Sequence, residues 1–552
     1  MDRKTILAFV LIALVLILTP SYMELVSPAF RAEQGPAPGN TRPQKPARVI
    51  ESDELPTAQN EAFSRVSTVE SSSKQIIVEN NFYTVTLDNK NGGSFSSFEL
   101  TRYSRDDTSS VNLIDSFNKN NLLVSFVSLD GELVPLNHNW VVIGDIKKLD
   151  AKQTQRSVLY QTKFGGNTIQ KKLTFYPSSY KIDLEVSFNN PDRFVSRGEY
   201  YLNWDGGISS SEKTTKDDYT YFKGYAYLGD ELLDVGAQED RAEVENQRGQ
   251  TGWTAVKSKY FITAIIPETA GLGATISGLL EGDRPVYSTQ LVLPTTTNRS
   301  TLYVGPQDYK IINGLGVGLE KTMNLGWALF RPLGRLITWS LTKMYAIIPN
   351  YGLVVIIFAV LVKLLLNPLT KQSFVSNKKM QALQPEIQKL KEKFKNDPQK
   401  ANRAQMQLFK DRGVNPMGGC LPLLLQMPIL ISFFTVFRST IEFRGAPFFG
   451  WITDLSAPDT LMTVAGLPIN ILPVLMGGTM FLQQKLMATP GAGGQQKFML
   501  YFMNVFFLFL FYSFPSGLNL YYSVFNVLSI VQQKYLIPDV VLPPAKTPKN
   551  KK

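Results

Sequence analysis

The sequence predicts a polytopic α-helical membrane protein with a five-helix C-terminal core, a large all-β domain of β-sandwich type and a helical hairpin. Three observations predict it. Long apolar runs recur after residue 345, and about 20 apolar residues are needed to cross a hydrocarbon core of about 30 Å. Before them, from about Gln75 to Ile312, short runs of β-branched and aromatic residues alternate with turn signals. Charge divides the same way, with 31 Lys/Arg against 37 Asp/Glu from Tyr22 to Thr322 and 26 against 9 elsewhere. The positive charge therefore sits beside the spans, as the positive-inside rule describes.

Taken in order, residues 1–22 begin Arg3-Lys4 and continue apolar to Thr19. A signal peptide cut after Ser27-Pro28-Ala29 and an uncleaved signal anchor both fit, and either exports the segment C-terminal to it. Residues 23–74 are rich in Pro, Gln, Glu and Ser and read as a disordered linker. The β-domain spans 75–314. Phe82–Leu87, Lys181–Phe188 and Tyr219–Tyr227 are strand-like, and Asn91-Gly92-Gly93 and Asp205-Gly206-Gly207 are turns. Its aromatics fill two facing sheets or line a groove for carbohydrate or peptide.

Residues 315–345 carry Leu319, Met323, Trp327, Phe330, Leu333 and Ile337 at three- and four-residue steps. This predicts an amphipathic helix on the membrane face, kinked at Pro332. Spans come next at 346–370, 414–438, 464–484, 498–514 and 515–536. A hairpin of two helices lies at 371–413, loops at 439–463 and 485–497, and a basic tail at 537–552. Lys371 to Arg412 holds 11 Lys/Arg and 4 Asp/Glu, so this segment and the tail belong on the cytoplasmic side. In the hairpin, Met380, Leu383, Ile387, Leu390 and Phe394 form a stripe, Pro385 suits a helix start, Asp397-Pro398 starts the second helix and Gly413 ends it.

Composition excludes several chemistries. Cys420 and His138 are the single cysteine and the single histidine, so a disulfide framework, a Cys/His zinc site and Ser-His-Asp catalysis are out. No phosphate-binding G-x-x-x-x-G-K-S/T loop is present. No metal, cofactor or catalytic residue is expected. The basic charge does not read as recognition of a specific nucleic-acid sequence, although anionic lipid and ribosomal RNA fit it.

The constellation that carries chemistry is polar and intramembrane. Lys363 lies about six residues, or about 9 Å, from the inner end of its span. It reads as a cation lining a cavity or as one snorkelling to the interface. Asn367 is one turn on; Gln426, Thr479, Gln483 and Asn504 lie in other spans; Asn519, Tyr522, Ser523 and Asn526 form one stripe in the last. Such groups need partners or water in lipid. Interhelical hydrogen bonding explains any one of them, and a shared wet cavity explains the set. No Asp or Glu lies in any of the five C-terminal spans, which argues against a proton- or sodium-coupled transporter. A small-solute transporter with a solute-binding β-domain stays the alternative.

Asn367-Pro368-Leu369-Thr370, Leu383-Gln384-Pro385, Val414-Asn415-Pro416-Met417-Gly418-Gly419-Cys420, Leu425-Gln426-Met427-Pro428-Ile429, Phe514-Pro515-Ser516-Gly517-Leu518 and Leu520-Tyr521-Tyr522 occur in this order. The C-terminal half so marked resembles the YidC membrane protein insertases, and Trp253–Pro267 is similar to that family's periplasmic domain. The resemblance implies an inner-membrane protein with an uncleaved first span, and so six spans and both termini cytoplasmic, a periplasmic β-supersandwich and a cytoplasmic helical hairpin. It implies insertion and chaperoning of membrane proteins, alone or with the Sec translocon, through a hydrophilic groove open to cytoplasm and lipid. Lys363 falls where the family usually has a groove arginine. Gln426, Met427 and Tyr522 fall at groove or substrate-sliding positions, with Asn367, Asn519 and Asn526 beside them. Pro385, Lys389, Lys393 and Arg403 of the hairpin are expected to contact ribosomes or incoming nascent chains. Membrane lipids complete the expected partners.

Overall fold

The computed structural model describes residues 72–105, 109–117, 120–323, 330–395, 397–414, 421–464, 466–487 and 494–537. The expected anchor 1–22, nearly all of the linker 23–74, the segment Asn415–Cys420 and nearly all of the tail 537–552 lie outside them.

The β-domain is built from strands buried on one face. Tyr83–Asp88 alternates buried Tyr83, Val85 and Leu87 with half-buried Thr84, Thr86 and Asp88, the period-2 pattern of a sheet over a core. Its strands form a five-stranded and a fourteen-stranded sheet. Nearly all neighbours are antiparallel; Gln75–Glu79 pairs in parallel with Lys148–Asp150. Both sheets contribute to one core, which includes Val78, Phe98, Tyr160, Leu291 and the indoles of Trp140, Trp204 and Trp253. The largest aromatics therefore act as packing. One cation is sealed in with them. Lys171 donates to the carbonyls of Asn91 (3.0 Å) and Leu122 (2.5 Å), and burial pushes its amine down to about 7.

Two short helices belong to this domain, α1 (Thr215–Tyr219) and α2 (Tyr309–Asn313). The expectation of one amphipathic helix over 315–345 is corrected here. Leu319 joins the β-domain core, Trp253 Nε1 donates to the Val317 carbonyl at 2.9 Å, and Lys257 Nζ to that of Thr322 at 2.6 Å. Gly316 and Gly318 adopt φ of 72° and 78°, which an α-helix does not allow. The helical period of Leu319 and Met323 is thus a coincidence of a tight turn that plugs the sheet. The helix itself, α3, is Arg331–Tyr345. Pro332 sits in its first turn, where a missing N–H costs nothing, and so makes no kink.

The C-terminal region is helical. α4 runs Tyr351–Ala382, through Pro368 and well past the expected limit at 370. Among the described residues it alone is both long and apolar enough to cross a membrane by length and composition. Asn350 Oδ1 caps it by accepting from the Leu353 N–H at 3.0 Å. Gly352 lets the Phe448 ring lie on its backbone, since a Cβ there would come within 2.0 Å of that ring. Next come α5 (Gln384–Lys393) and α6 (Pro398–Asp411). They close a small core of Leu383, Ile387, Phe409 and Val414, with Arg412 paired to Glu386 at 2.7 Å. Asp397 Oδ1 caps α6 at the Lys400 N–H, and Gly413 ends it at φ 62°.

α7 (Leu421–Ser439), α8 (Ile471–Met487), α9 (Gly494–Phe511) and α10 (Ser516–Val531) complete the bundle. α8 begins later than the expected 464. Thr460–Val464 and Leu467–Asn470 instead pair as a β-hairpin, because Gly466 at φ 81° turns the chain back. The helices share a core of Val355, Ala359, Phe433, Phe437, Tyr521 and Phe525, with the Phe433 and Tyr521 rings stacked at 4.1 Å.

Candidate functional site

Along α4, Val355, Ala359, Lys363, Thr370, Ser373 and Asn377 are buried. They recur at helical spacing, so they mark one face turned into the protein. That face is apolar as far as Ala359 and predominantly polar from Lys363 onward. It meets the second half of α10, where Ser523, Asn526 and Ser529 are buried.

Lys363 Nζ donates to Ser529 Oγ at 2.7 Å and lies over the Phe525 ring at 4.6 Å and the Phe374 ring at 5.5 Å. Phe374 is eleven residues further along, so the side chain reaches toward the C-terminal end of α4. It snorkels, but into protein, and the residue is only 6% exposed. Below it, Gln532 Nε2 donates to Asn367 Oδ1 and to Thr370 Oγ1 at 3.2 Å. Lys378 Nζ then reaches the Ile537 carbonyl at 2.7 Å. No Asp or Glu occurs in α4, α7, α8, α9 or α10 to neutralise these cations.

The other expected residues are placed differently. Asn526 is one turn before Ser529, and its Nδ2 faces Thr479 Oγ1 at 3.4 Å. Asn519 lies ten residues, or about 15 Å, from Ser529 and donates to the Phe511 carbonyl at 3.2 Å. The Tyr522 hydroxyl is buried beside Gln426 without reaching hydrogen-bond geometry. Met427 is exposed. Asn504 bridges to Gln484 at 2.7 Å. Lys363 and Asn367 are thus brought together, while Asn519 and Asn526 hold α10 to its neighbours. Pro385, Lys389, Lys393 and Arg403 are exposed on the hairpin. Sequence reasoning missed Thr370, Ser529 and Gln532. The signal was present: each continues a polar stripe at helical spacing, Lys363–Asn367–Thr370 on α4 and Asn526–Ser529–Gln532 on α10.

A second cluster joins the β-domain to the C-terminal end of α7 and the loop after it. Asp217 receives Arg438, and Lys259 Nζ at 2.8 Å. Burial alone would raise the Asp217 carboxyl, but Lys259 and Arg438 overcome it and hold it below the usual range. Tyr260 Oη donates to the Arg438 carbonyl at 3.1 Å. Arg444 donates to Glu212 Oε1 at 2.7 Å and to the carbonyls of Ser104 (3.0 Å) and Ser211 (2.9 Å). Ile441 between them enters the β-domain core.

Glu442 makes this junction pH-sensitive. Its Oε2 is buried with no hydrogen-bond partner; burial, with Asp308's charge adding to it, pushes the carboxyl from 4.5 up to about 7. The folded protein thus holds a proton there that the unfolded chain has lost. The stability this contributes is complete below about pH 4.5 and is lost as pH rises through 7. Glu442→Gln is expected to melt like the parent at pH 4.5 and to be about 3 kcal/mol more stable at pH 8. Denaturant melts at the two pH values check this.

Residues 75–340 match the family described as YidC periplasmic domain, and residues 343–541 match 60Kd inner membrane protein. Membrane protein insertase YidC of Chlorobium limicola is 34% identical over 97% of this chain and 94% of its own length. That of Prosthecochloris aestuarii is 33% identical over 100% and 99%.

The chain belongs to the YidC membrane protein insertase family. A crystal structure of an active YidC insertase is also similar, covering 85% of this chain and 94% of that one at 19% identity and a TM-score of 0.39. The two family matches meet between residues 340 and 343, inside α3. This helix therefore joins a periplasmic β-rich domain to a helical membrane region.

Proposed function

We propose that this protein inserts integral inner-membrane proteins, and helps them fold, by receiving polar segments of a nascent chain at a positively charged groove around Lys363. The observation that carries the proposal is an ammonium inside a helix bundle, held by a hydroxyl and aromatic rings, with no carboxylate in the surrounding helices. A cation costs about 2.5–3.5 kcal/mol at the centre of a membrane helix. Here the cost is reduced by the polar seam of Asn367, Thr370, Ser529 and Gln532. An acidic or polar client segment would find there the counter-charge that lipid lacks.

In this reading the chain crosses the membrane six times with both termini in the cytoplasm. The groove opens to cytoplasm and lipid, and the exposed Lys389, Lys393 and Arg403 of the α5–α6 hairpin meet ribosomes or incoming chains. The Sec translocon is a partner for some clients. Solute transport is not favoured, since transporters commonly place a carboxylate within their spans.

Photocrosslinkers placed one at a time at Phe374, Phe525 and Ser529 test the groove during translation of a single-span client. Crosslinks to the client's leading segment are expected. Crosslinks to lipid alone would overturn the proposal.

A further inference from the structure

The hairpin Thr460–Asn470 is apolar and uncovered. Leu461, Met462, Val464, Leu467 and Ile469 are all exposed, with Leu467 at 72%. A two-stranded hairpin is marginal in water by itself, and bare edges with apolar faces invite association. Yet its base is fixed. Asp459 Oδ2 accepts from Trp451 Nε1 (3.0 Å) and from the N–H groups of Ile471 (3.0 Å) and Leu472 (2.7 Å), so it caps α8. Asn470 Nδ2 donates to the Tyr512 carbonyl at 2.8 Å, and Tyr512 Oη to that of Pro468 at 2.6 Å. A rigid stalk thus carries an apolar tip.

We infer that this hairpin inserts its side chains into the outer leaflet of the bilayer, with acyl chains as its partner. Three observations commit it to lipid. No charged residue occurs between Asp459 and Lys485, so nothing opposes burial in an apolar phase. The exposed apolar surface continues from the hairpin onto Val474 and Leu475 of α8, the lipid-facing belt of a membrane helix. The hairpin also comes just after the loop that Arg438 and Arg444 tie to the periplasmic domain, which sets it at the outer face. Its unpaired backbone edges need water. It therefore lies at the headgroup–acyl boundary, with the face shared by Met462, Val464, Leu467 and Ile469 turned inward, and holds the outer ends of α8 and α9 at a set depth. The inference rests on the membrane reading of this region.

The test uses the full chain with Cys420→Ala, a nitroxide at Leu467→Cys, and bilayers of phosphatidylethanolamine and phosphatidylglycerol. A second label at Val464→Cys repeats the measurement. Oxygen is expected to collide with the label several-fold more often than a water-soluble nickel chelate does. Labels at Leu129→Cys in the β-domain and Phe509→Cys on α9 give the water and lipid references. Nickel access equal to that at position 129, with position 509 still in lipid, overturns the hairpin inference and leaves the membrane reading intact. Shielding from both reagents with spin–spin broadening would show that a second copy covers the tip, and would likewise overturn it.

Discussion

Lys363→Glu is expected to abolish insertion of a single-span test protein, while Lys363→Arg retains it. The cation and a client carboxylate about 8 Å apart attract by about 2 kcal/mol at an effective dielectric of about 20. Reversing the charge turns that attraction into an equal repulsion, a change of about 4 kcal/mol. If this encounter limits the rate, insertion slows by roughly a thousandfold. Glu would also place an anion against the negative face of the Phe525 ring, where the ammonium now lies at 4.6 Å.

Lys363→Met separates function from folding. Methionine keeps much of the volume, and Ser529 Oγ retains its bond to the Phe525 carbonyl at 2.8 Å. Replacing a buried cation by a packed apolar chain is neutral or stabilising. The Met variant is therefore expected to melt no lower than the parent and to insert its client about thirtyfold more slowly, a loss of about 2 kcal/mol. Reconstituted vesicles and a protease-protection readout measure it. Normal insertion by the Glu variant would reduce Lys363 to a snorkelling anchor.

The second large effect belongs to the periplasmic junction. Arg444→Ala removes a side chain that is 8% exposed and paired with Glu212. It leaves the Glu212 carboxylate with the Ser211 hydroxyl at 2.8 Å but no counter-charge, and takes a donor from the carbonyls of Ser104 and Ser211. Breaking one side of a buried pair costs about 3–5 kcal/mol. Hydrogen exchange over 441–444 and over 210–218 is expected to accelerate by about a hundredfold or more, with the α5–α6 hairpin unchanged. Adding Glu212→Gln should recover part of the loss, since the stranded charge is then gone, and the double-mutant cycle measures the coupling. No change in exchange at 441–444 would mean that Ile441 and the Tyr260–Arg438 bond hold the junction without the ion pair.

Much of this molecule was legible before its structure. The apolar runs, the change of charge near residue 322, and the period-2 strands each arise from local chemistry, because a bilayer or a sheet core selects side chains one by one. Asp397-Pro398 and Gly413 announced the ends of α6, since a cap needs a particular side chain and a left-handed residue needs a glycine. Lys363 stood out because a cation among aliphatic residues is costly wherever the helix packs.

The failures have physical reasons. Leu319 and Met323 have helical spacing, but spacing does not say which surface receives them; the sheet took Leu319. Residues 464–470 are as apolar as a span, but the turn at Gly466 folds them into a hairpin and Asp459 caps α8 only at Ile471. The partner of Lys363 lies 166 residues away, and that of Arg438 lies 221 away. By itself the sequence determined the class of the protein, the position of its charges and the types of its polar groups. The tertiary structure alone decided which polar groups meet. Hydrogen bonds and ion pairs act over a few ångströms, and contact between distant segments is set by how helices and sheets pack.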